Sequence, residues 1–307
     1  MIIDEAKIFV KAGNGGQGVF SSLRLSARKT IGAGGDGGRG GDVIIRISPH
    51  YYDLSRFSQR KRFVASDGKN GGPNNKKGKD AEELVIDVPQ GTIIKDEQAK
   101  FIIDLSEDKK EFLICQGGEE GRGNYKKSTT IPPKEGEAKY VILDYRILND
   151  VAIVGLPNTG KTSLFNALTG KDFKVADYPF TTTSCIWAGV EHEFSSFILM
   201  DTPPLKEDIR KSDSRFLKHL YRTKIILLLS DNSLNYSQDF SLLKEQIAVF
   251  DPSLVRKKIF YLLNKIDTIE GNFKDKEIIP ISAEKNIGVT GLKERIVNCL
   301  AEIKGKT

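Results

Sequence analysis

The sequence predicts two domains of different class. Residues 1–148 read as a glycine-rich β platform carrying polyproline II helices, and residues 149–307 as an α/β domain with a mostly parallel, doubly wound sheet. Two observations carry this. Of the 29 glycines, 21 lie in residues 1–148, many of them three residues apart. From Asn149 onward, apolar strands alternate with helical patterns, a rhythm that the first half lacks.

In the first half, Gly32, Gly35, Gly38 and Gly41 interleave with Gly34, Gly37 and Gly40. The pairs Gly13/Gly16, Gly15/Gly18, Gly68/Gly71 and Gly118/Gly121 repeat the spacing. Three residues per turn is the polyproline II period, so one face of each extended segment carries only glycine and permits close backbone packing. Between these runs, AKIFVKA, DVIIRIS, ELVIDVP and AKYVILDY alternate, are rich in β-branched residues, and predict strands. Pro89-Gln90-Gly91 marks a turn. Residues 50–80 carry no clear element.

In the second half, VAIVG precedes a helix at 161–169 that Gly170 ends, and FILMDT precedes a helix around 213–222. KIILLLS precedes a helix around 238–249, KIFYLLN a short connection, and EIIPIS a helix at 289–303. Ligands bind such sheets at the C-terminal ends of the strands, and the motifs fall there.

The first motif is Gly155-Leu156-Pro157-Asn158-Thr159-Gly160-Lys161-Thr162, a P-loop. Its glycines let backbone N–H groups and a helix N-terminus face phosphate oxygens. Lys161 would reach the β/γ-phosphates and Thr162 would ligate Mg²⁺. Next come Asp177-Tyr178-Pro179-Phe180-Thr181-Thr182-Thr183-Ser184, then Asp201-Thr202-Pro203-Pro204 at a strand end. A loop threonine can meet Mg²⁺ and the γ-phosphate, and a strand-end aspartate can hold the same ion, often through water. Asn264-Lys265-Ile266-Asp267 and Ser282-Ala283-Glu284 end two further strands. The Asp267 carboxylate can accept two hydrogen bonds from a guanine edge, a donor pair that adenine lacks. Asn264 and Lys265 would brace base and loop, and the Ser282-Ala283 backbone would meet the guanine oxygen. Four such segments in this order point to GTP/GDP.

Composition sets the surrounding bounds. Hydrophobic residues make up 39% and charged residues 29%, which is ordinary for a soluble chain. No apolar run is long enough for a transmembrane segment, and the N-terminus lacks a signal-peptide pattern. Three scattered cysteines fit a cytoplasmic location and neither a disulfide framework nor a zinc site. The net charge of +6 divides into 25 Lys and Arg against 21 Asp and Glu over 1–148, and 22 against 20 thereafter. Locally, Arg56, Arg60, Lys61 and Arg62, and Lys69, Lys76, Lys77 and Lys79, form basic clusters that suit either a solvated face or a polyanion such as RNA.

The chain resembles the Obg family of GTPases. VKAGNGGQGVFSS with GGDGGRGGDVIIRI, NGGPNNKKGKDAEELVIDVPQGTII, GGEEGRGN with GEAKYVILDYRILNDVAIVGLPNTGKT, and YPFTTT with NKID carry the likeness over residues 1–303. The resemblance implies an Obg domain over 1–148 and a G domain over 149–307. It implies slow, Mg²⁺-dependent GTP hydrolysis in maturation of the large (50S) ribosomal subunit, with that subunit and its rRNA as partners. By position, Thr162 and Thr182 would ligate Mg²⁺, with Asn158, Lys161 and Thr182 as catalytic groups. Residues 180–184 would be the first switch, and Asp201 through Pro204 the start of the second. Asn158 resembles the asparagine with which such GTPases hold K⁺, and the likeness adds guanosine tetraphosphate as a ligand. Nothing calls for an obligate oligomer, so a monomer is expected.

One departure stands out. Pro204 occupies the place of the family's glycine, whose N–H would bond the γ-phosphate. Proline has no N–H, and the loss of such a charge-assisted bond costs roughly 1.5–3 kcal/mol. A muted switch is expected. The alternative is an assembly scaffold that binds nucleotide and scarcely hydrolyses it. The following segment, LKEDIRKSDSR from Leu205, is also shorter than the family's and has lost its glycines, and the chain ends soon after its last helix.

Overall fold

The computed structural model describes residues 3–26, 29–106, 108–170, 185–193, 195–205, 215–231, 234–268 and 277–305. The chain divides into two compact units, Ile2–Tyr145 and Arg146–Thr307 with Met1.

The first unit contains β1 (Glu5–Lys11), β2 (Ser22–Ser26), β3 (Lys29–Gly32), β4 (Val43–Ile47), α1 (Arg56–Gln59), β5 (Arg62–Val64), β6 (Leu84–Val88), β7 (Thr92–Asp96), β8 (Phe101–Asp104), β9 (Glu111–Cys115) and β10 (Ala138–Tyr145). A five-stranded sheet has the order β5-β1-β10-β7-β8, a three-stranded sheet the order β6-β4-β9, and β2 pairs with β3. Alternation along the strands buries Ile8, Val10, Val141, Leu143 and Ile94 from the large sheet, and Val43, Ile45, Ile86 and Val88 from the small one. The sequence left 50–80 without an element; α1 and β5 are short pieces within it.

The glycine runs are extended segments that hydrogen-bond one another every third residue. Gly13, Gly16 and Val19 donate their N–H groups to Gly41, Gly38 and Gly35, while Gly35, Gly38 and Gly41 donate to Gly72, Lys69 and Ser66. Gly118, Gly121 and Asn124 donate to Gly13, Gly16 and Val19. A polyproline II helix has no internal hydrogen bonds, so its backbone groups must find partners on neighbouring segments. The spacing is close enough to exclude side chains. A Cβ at Gly37 would stand 1.9 Å from the Gly16 carbonyl oxygen, and one at Gly40 2.0 Å from that of Gly13. Carboxylates and amides fasten the segments further: Asp67 Oδ1 accepts from Asn14 N–H at 2.6 Å, and Asn70 Oδ1 from Gln17 N–H, one turn on, at 2.9 Å.

The second unit contains β11 (Val151–Gly155), α2 (Lys161–Thr169), β12 (Ile186–His192), β13 (Ser195–Asp201), β14 (Ile225–Ser230), α3 (Tyr236–Phe250), β15 (Lys258–Leu263), β16 (Ile278–Pro280) and α4 (Val289–Lys304). Its sheet has the order β12-β13-β11-β14-β15-β16 and is parallel except for the β12–β13 pair. Leu164, Phe165 and Leu168 of α2 and Val289, Leu292, Ile296 and Leu300 of α4 share a core with Val151, Ile153, Leu227 and Leu229. Ala152, Ile226 and Leu228, which alternate with those residues, are buried on the opposite face, where α3 packs against β14. The near-continuous apolar runs in β11 and β14 follow from burial on both faces. The helix expected around 213–222 is a 3₁₀ helix at Arg215–Tyr221. Its Phe216 and His219, and its Leu217 and Leu220, are buried in pairs three residues apart, which suits the tighter three-residue turn.

Candidate nucleotide-binding site

Three strand ends meet at the turn between β11 and α2. The turn needs unusual backbone: Asn158 has φ 63° and Gly160 φ 88°. Gly160 is required twice, since a Cβ there would also lie 2.3 Å from Asn264 Nδ2. Lys161 begins α2, so the loop ends on a helix N-terminus.

Asn264 is the buried tie between the segments. Its Nδ2 donates to the Thr159 carbonyl at 2.9 Å, and its Oδ1 accepts from the Ala283 N–H at 3.0 Å. Its own N–H donates to the Ser230 carbonyl at 2.8 Å. The side chain therefore joins the loop to the segment that follows β16, and the backbone of the same residue joins the end of β14. The Ala283 N–H expected for a guanine oxygen is donated to Asn264 here. Lys265, at φ 62°, donates from Nζ to the Asn158 carbonyl at 2.9 Å and to Asp231 Oδ2 at 2.6 Å. Asp231 follows β14 directly and had no signal in the sequence beyond that position. Its counter-charge for Lys265 shows only once β14 and β15 are paired.

Lys161 is buried, and its Nζ donates to the Leu156 carbonyl at 2.7 Å. Burial lowers its pKa, while Asp201 and Asp231 oppose that shift. Thr159 Oγ1 also closes on the Leu156 carbonyl, at 2.9 Å. Pro157 is exposed on the loop.

Asp201 ends β13 beside Thr162, whose hydroxyl donates to Asp201 Oδ2 at 2.9 Å. Asp201 Oδ1 is buried and has no protein partner. Burial pushes this carboxyl up to about 6, against the Thr162 hydrogen bond and the Lys161 charge. A hydroxyl oxygen beside a carboxylate with a spare buried oxygen is a donor set that fits a hard divalent cation such as Mg²⁺. Thr202 continues from Asp201, with its hydroxyl on the Ile153 carbonyl at 2.7 Å. Pro203 and Pro204 follow, and then Leu205, fully buried, donates its N–H to the Gly155 carbonyl at 3.1 Å. The chain after Asp201 is thus fastened to the start of the loop one residue beyond Pro204.

Asp267 sits in a short 3₁₀ turn at Ile266–Thr268. A hydrogen bond from the Ser282 side chain, and Lys285 with Nζ 3.4 Å away, hold its carboxyl below the ordinary carboxylate range. Lys285 is a second partner that the motif did not reveal. Ser282 is fully buried, and Glu284 is exposed beside it. Phe180, Thr181, Thr182, Thr183 and Ser184 lie outside the described residues, as does the segment 206–214.

The described segments bring together a helix N-terminus, one buried cation and one incompletely satisfied carboxylate, an arrangement suited to a phosphorylated, metal-bound ligand. Comparison with known proteins agrees. Residues 3–140 match the GTP1/OBG family, and residues 150–265 match a family described as 50S ribosome-binding GTPase. The chain is 35% identical to a GTPase Obg of Thermodesulfovibrio yellowstonii over 99% of this chain and 98% of that one. It is 35% identical to a GTPase Obg of Aquifex aeolicus over 99% and 97% of the two chains. A GTPase Obg of a Thermoanaerobacter species is also 35% identical, over 99% of this chain and 78% of that one.

Proposed function

Because the chain belongs to the Obg family of GTPases, we propose that it acts in assembly of the large ribosomal subunit as a slow, Mg²⁺-dependent GTPase. GTP binding and hydrolysis are the coarse activity that family membership gives it. In the proposed site, the 155–162 loop surrounds the β/γ-phosphates, with Lys161 as their buried cation. Thr162, Thr182 and, on its spare oxygen, Asp201 serve Mg²⁺, which neutralises phosphate charge when bound. Asp267 reads guanine, while Asn264 and Lys265 keep the loop in register with the reader. Residues 1–148 form the Obg domain and 149–307 the G domain.

The observation that carries the ribosomal role is the match of 150–265 to a 50S ribosome-binding GTPase family, joined to the glycine-laced unit. Extended segments packed through glycine faces, with no side chains between them, can form slender projections suited to an RNA cavity. Among the described residues no helix is long and apolar enough to cross a membrane, and the proposed setting is the cytoplasm. The test is co-sedimentation with purified large subunits in GTP and in GDP. Nucleotide-dependent binding supports the role, and indifference of the subunit to this protein removes it.

The alternative is a nucleotide-bound assembly scaffold with little hydrolysis. Pro204 favours it, because no N–H is present there to meet a γ-phosphate.

A further inference from the structure

The basic run Arg56, Arg60, Lys61 and Arg62 lies in the first unit and has no part in the nucleotide site. Its last member enters the large sheet. The register across β5, β1 and β10 sets Arg62, Phe9 and Tyr140 in one row, and Val64, Lys11 and Ala138 in the next. On the other side, Lys7 stands opposite Ile142, which stands opposite Lys95. Because Ile8, Val10, Val141 and Leu143 point into the core, this grid is the sheet's outer face.

Its centre is aromatic and its margin cationic. The Phe9 and Tyr140 rings are 5.0 Å apart. The Arg62 guanidinium stands 5.2 Å from the Phe9 ring centre, and Lys7 Nζ 5.1 Å from that of Tyr140. Tyr140 is 47% exposed and Val64 46% exposed. Lys7 and Lys95 are paired with Glu97 and Asp144. Among the described residues, Lys11, Arg60, Lys61 and Arg62 have no carboxylate partner.

We propose that this sheet face is a binding platform for single-stranded RNA, with an unstacked base on Tyr140 and backbone phosphates at Arg62 and Lys11. Open aromatic surface on a sheet gains from stacking on bases that a duplex keeps stacked on one another. Arg62 and Lys11 beside it complement a phosphate chain. The face uses no residue of the nucleotide site and none of the glycine packing contacts, so it goes beyond the ribosomal role proposed above.

The test is fluorescence anisotropy of a short labelled oligouridine RNA with the full chain, across a salt series. Tyr140→Ala weakens binding about tenfold, within the range for one stacked base, while Tyr140→Phe binds as the native chain does. Arg62→Ala and Lys11→Ala each reduce the salt slope by about 0.7. Far-UV circular dichroism and thermal melts of the same variants stay unchanged and report that the first unit is folded, and GDP affinity stays unchanged as well. The proposal is overturned if no binding occurs, or if Tyr140→Ala and Tyr140→Phe behave alike. It is equally overturned if duplex RNA or heparin competes as well as the single strand, since that describes a generic polyanion patch. Co-sedimentation of the native chain with the large subunit decides the ribosomal role independently of all these outcomes.

Discussion

Thr162 hydrogen-bonds one oxygen of the buried Asp201 carboxylate at 2.9 Å, and the other oxygen has no protein partner. The folded metal-free protein therefore holds a carboxylate that is more easily protonated than in the unfolded chain, at about 6 against an ordinary 3.8. Such a raised value gives stability that is fully present below about pH 4 and is lost as pH rises through 6. Above that window the ionised group costs on the order of 2–3 kcal/mol. Metal-free Asp201→Asn should accordingly melt several degrees higher than the native chain at pH 8, with the difference vanishing near pH 4. Mg²⁺ should stabilise the native protein more than the variant. Thermal melts in EDTA and in Mg²⁺ check both signs.

Asn264 holds the Thr159 carbonyl and the Ala283 N–H at once. Asn264→Ala leaves both buried groups without that partner, at about 1–3 kcal/mol each before relaxation. GDP affinity should fall by roughly 30-fold or more, and calorimetric titration reads it. An unchanged affinity would mean that the loop holds its shape without the tie.

Asp231 pairs with Lys265 at 2.6 Å, and Lys265 in turn holds the Asn158 carbonyl. Both side chains are partly exposed, so the effect of Asp231→Asn should be modest, about threefold to tenfold in GDP dissociation rate. Stopped-flow release of a fluorescent GDP measures it. Lys265→Ala combined with Asp231→Asn should add little beyond Lys265→Ala alone.

Gly37 and Gly72 provide a contrast in the first unit. A Cβ at Gly37 meets the Gly16 carbonyl oxygen at 1.9 Å, whereas one at Gly72 meets the flexible Lys76 side chain at 3.4 Å. Gly37→Ala should destabilise the first unit by about 3 kcal/mol or more, and Gly72→Ala by less than about 1 kcal/mol. Urea denaturation followed by circular dichroism separates the two.

Much of this architecture was legible because its signals are local. The three-residue glycine spacing, from Gly32 to Gly41, is itself the backbone contact pattern. The apolar run at 151–155 and the loop after it identify their strand and turn without reference to the rest of the chain. What was not legible depends on pairing between distant segments. Asp231 and Lys285 become partners of Lys265 and Asp267 only when the ends of neighbouring strands are brought together. The hydrogen bond from Leu205 to Gly155 likewise needs β13 beside β11. The 3₁₀ helix at Arg215–Tyr221 was read as an ordinary helix because consecutive apolar residues such as Phe216 and Leu217 satisfy either period over so short a span.

Pro204→Gly returns an N–H to the segment between Asp201 and Leu205. If the missing donor mutes the switch, the variant should prefer GTP over GDP about tenfold to a hundredfold more strongly than the native chain, the equivalent of one charge-assisted hydrogen bond. Competition titrations with GDP and a non-hydrolysable GTP analogue measure the ratio. An unchanged ratio would mean that Leu205 and its neighbours already compensate.

The most direct measurement is single-turnover GTP hydrolysis by the native chain in Mg²⁺ and K⁺, with and without purified large ribosomal subunits. A slow intrinsic rate that the subunits accelerate is the result expected of a GTPase working in subunit assembly. Tight binding of GTP and subunits with hydrolysis no faster than the uncatalysed reaction would contradict it and leave a nucleotide-bound scaffold.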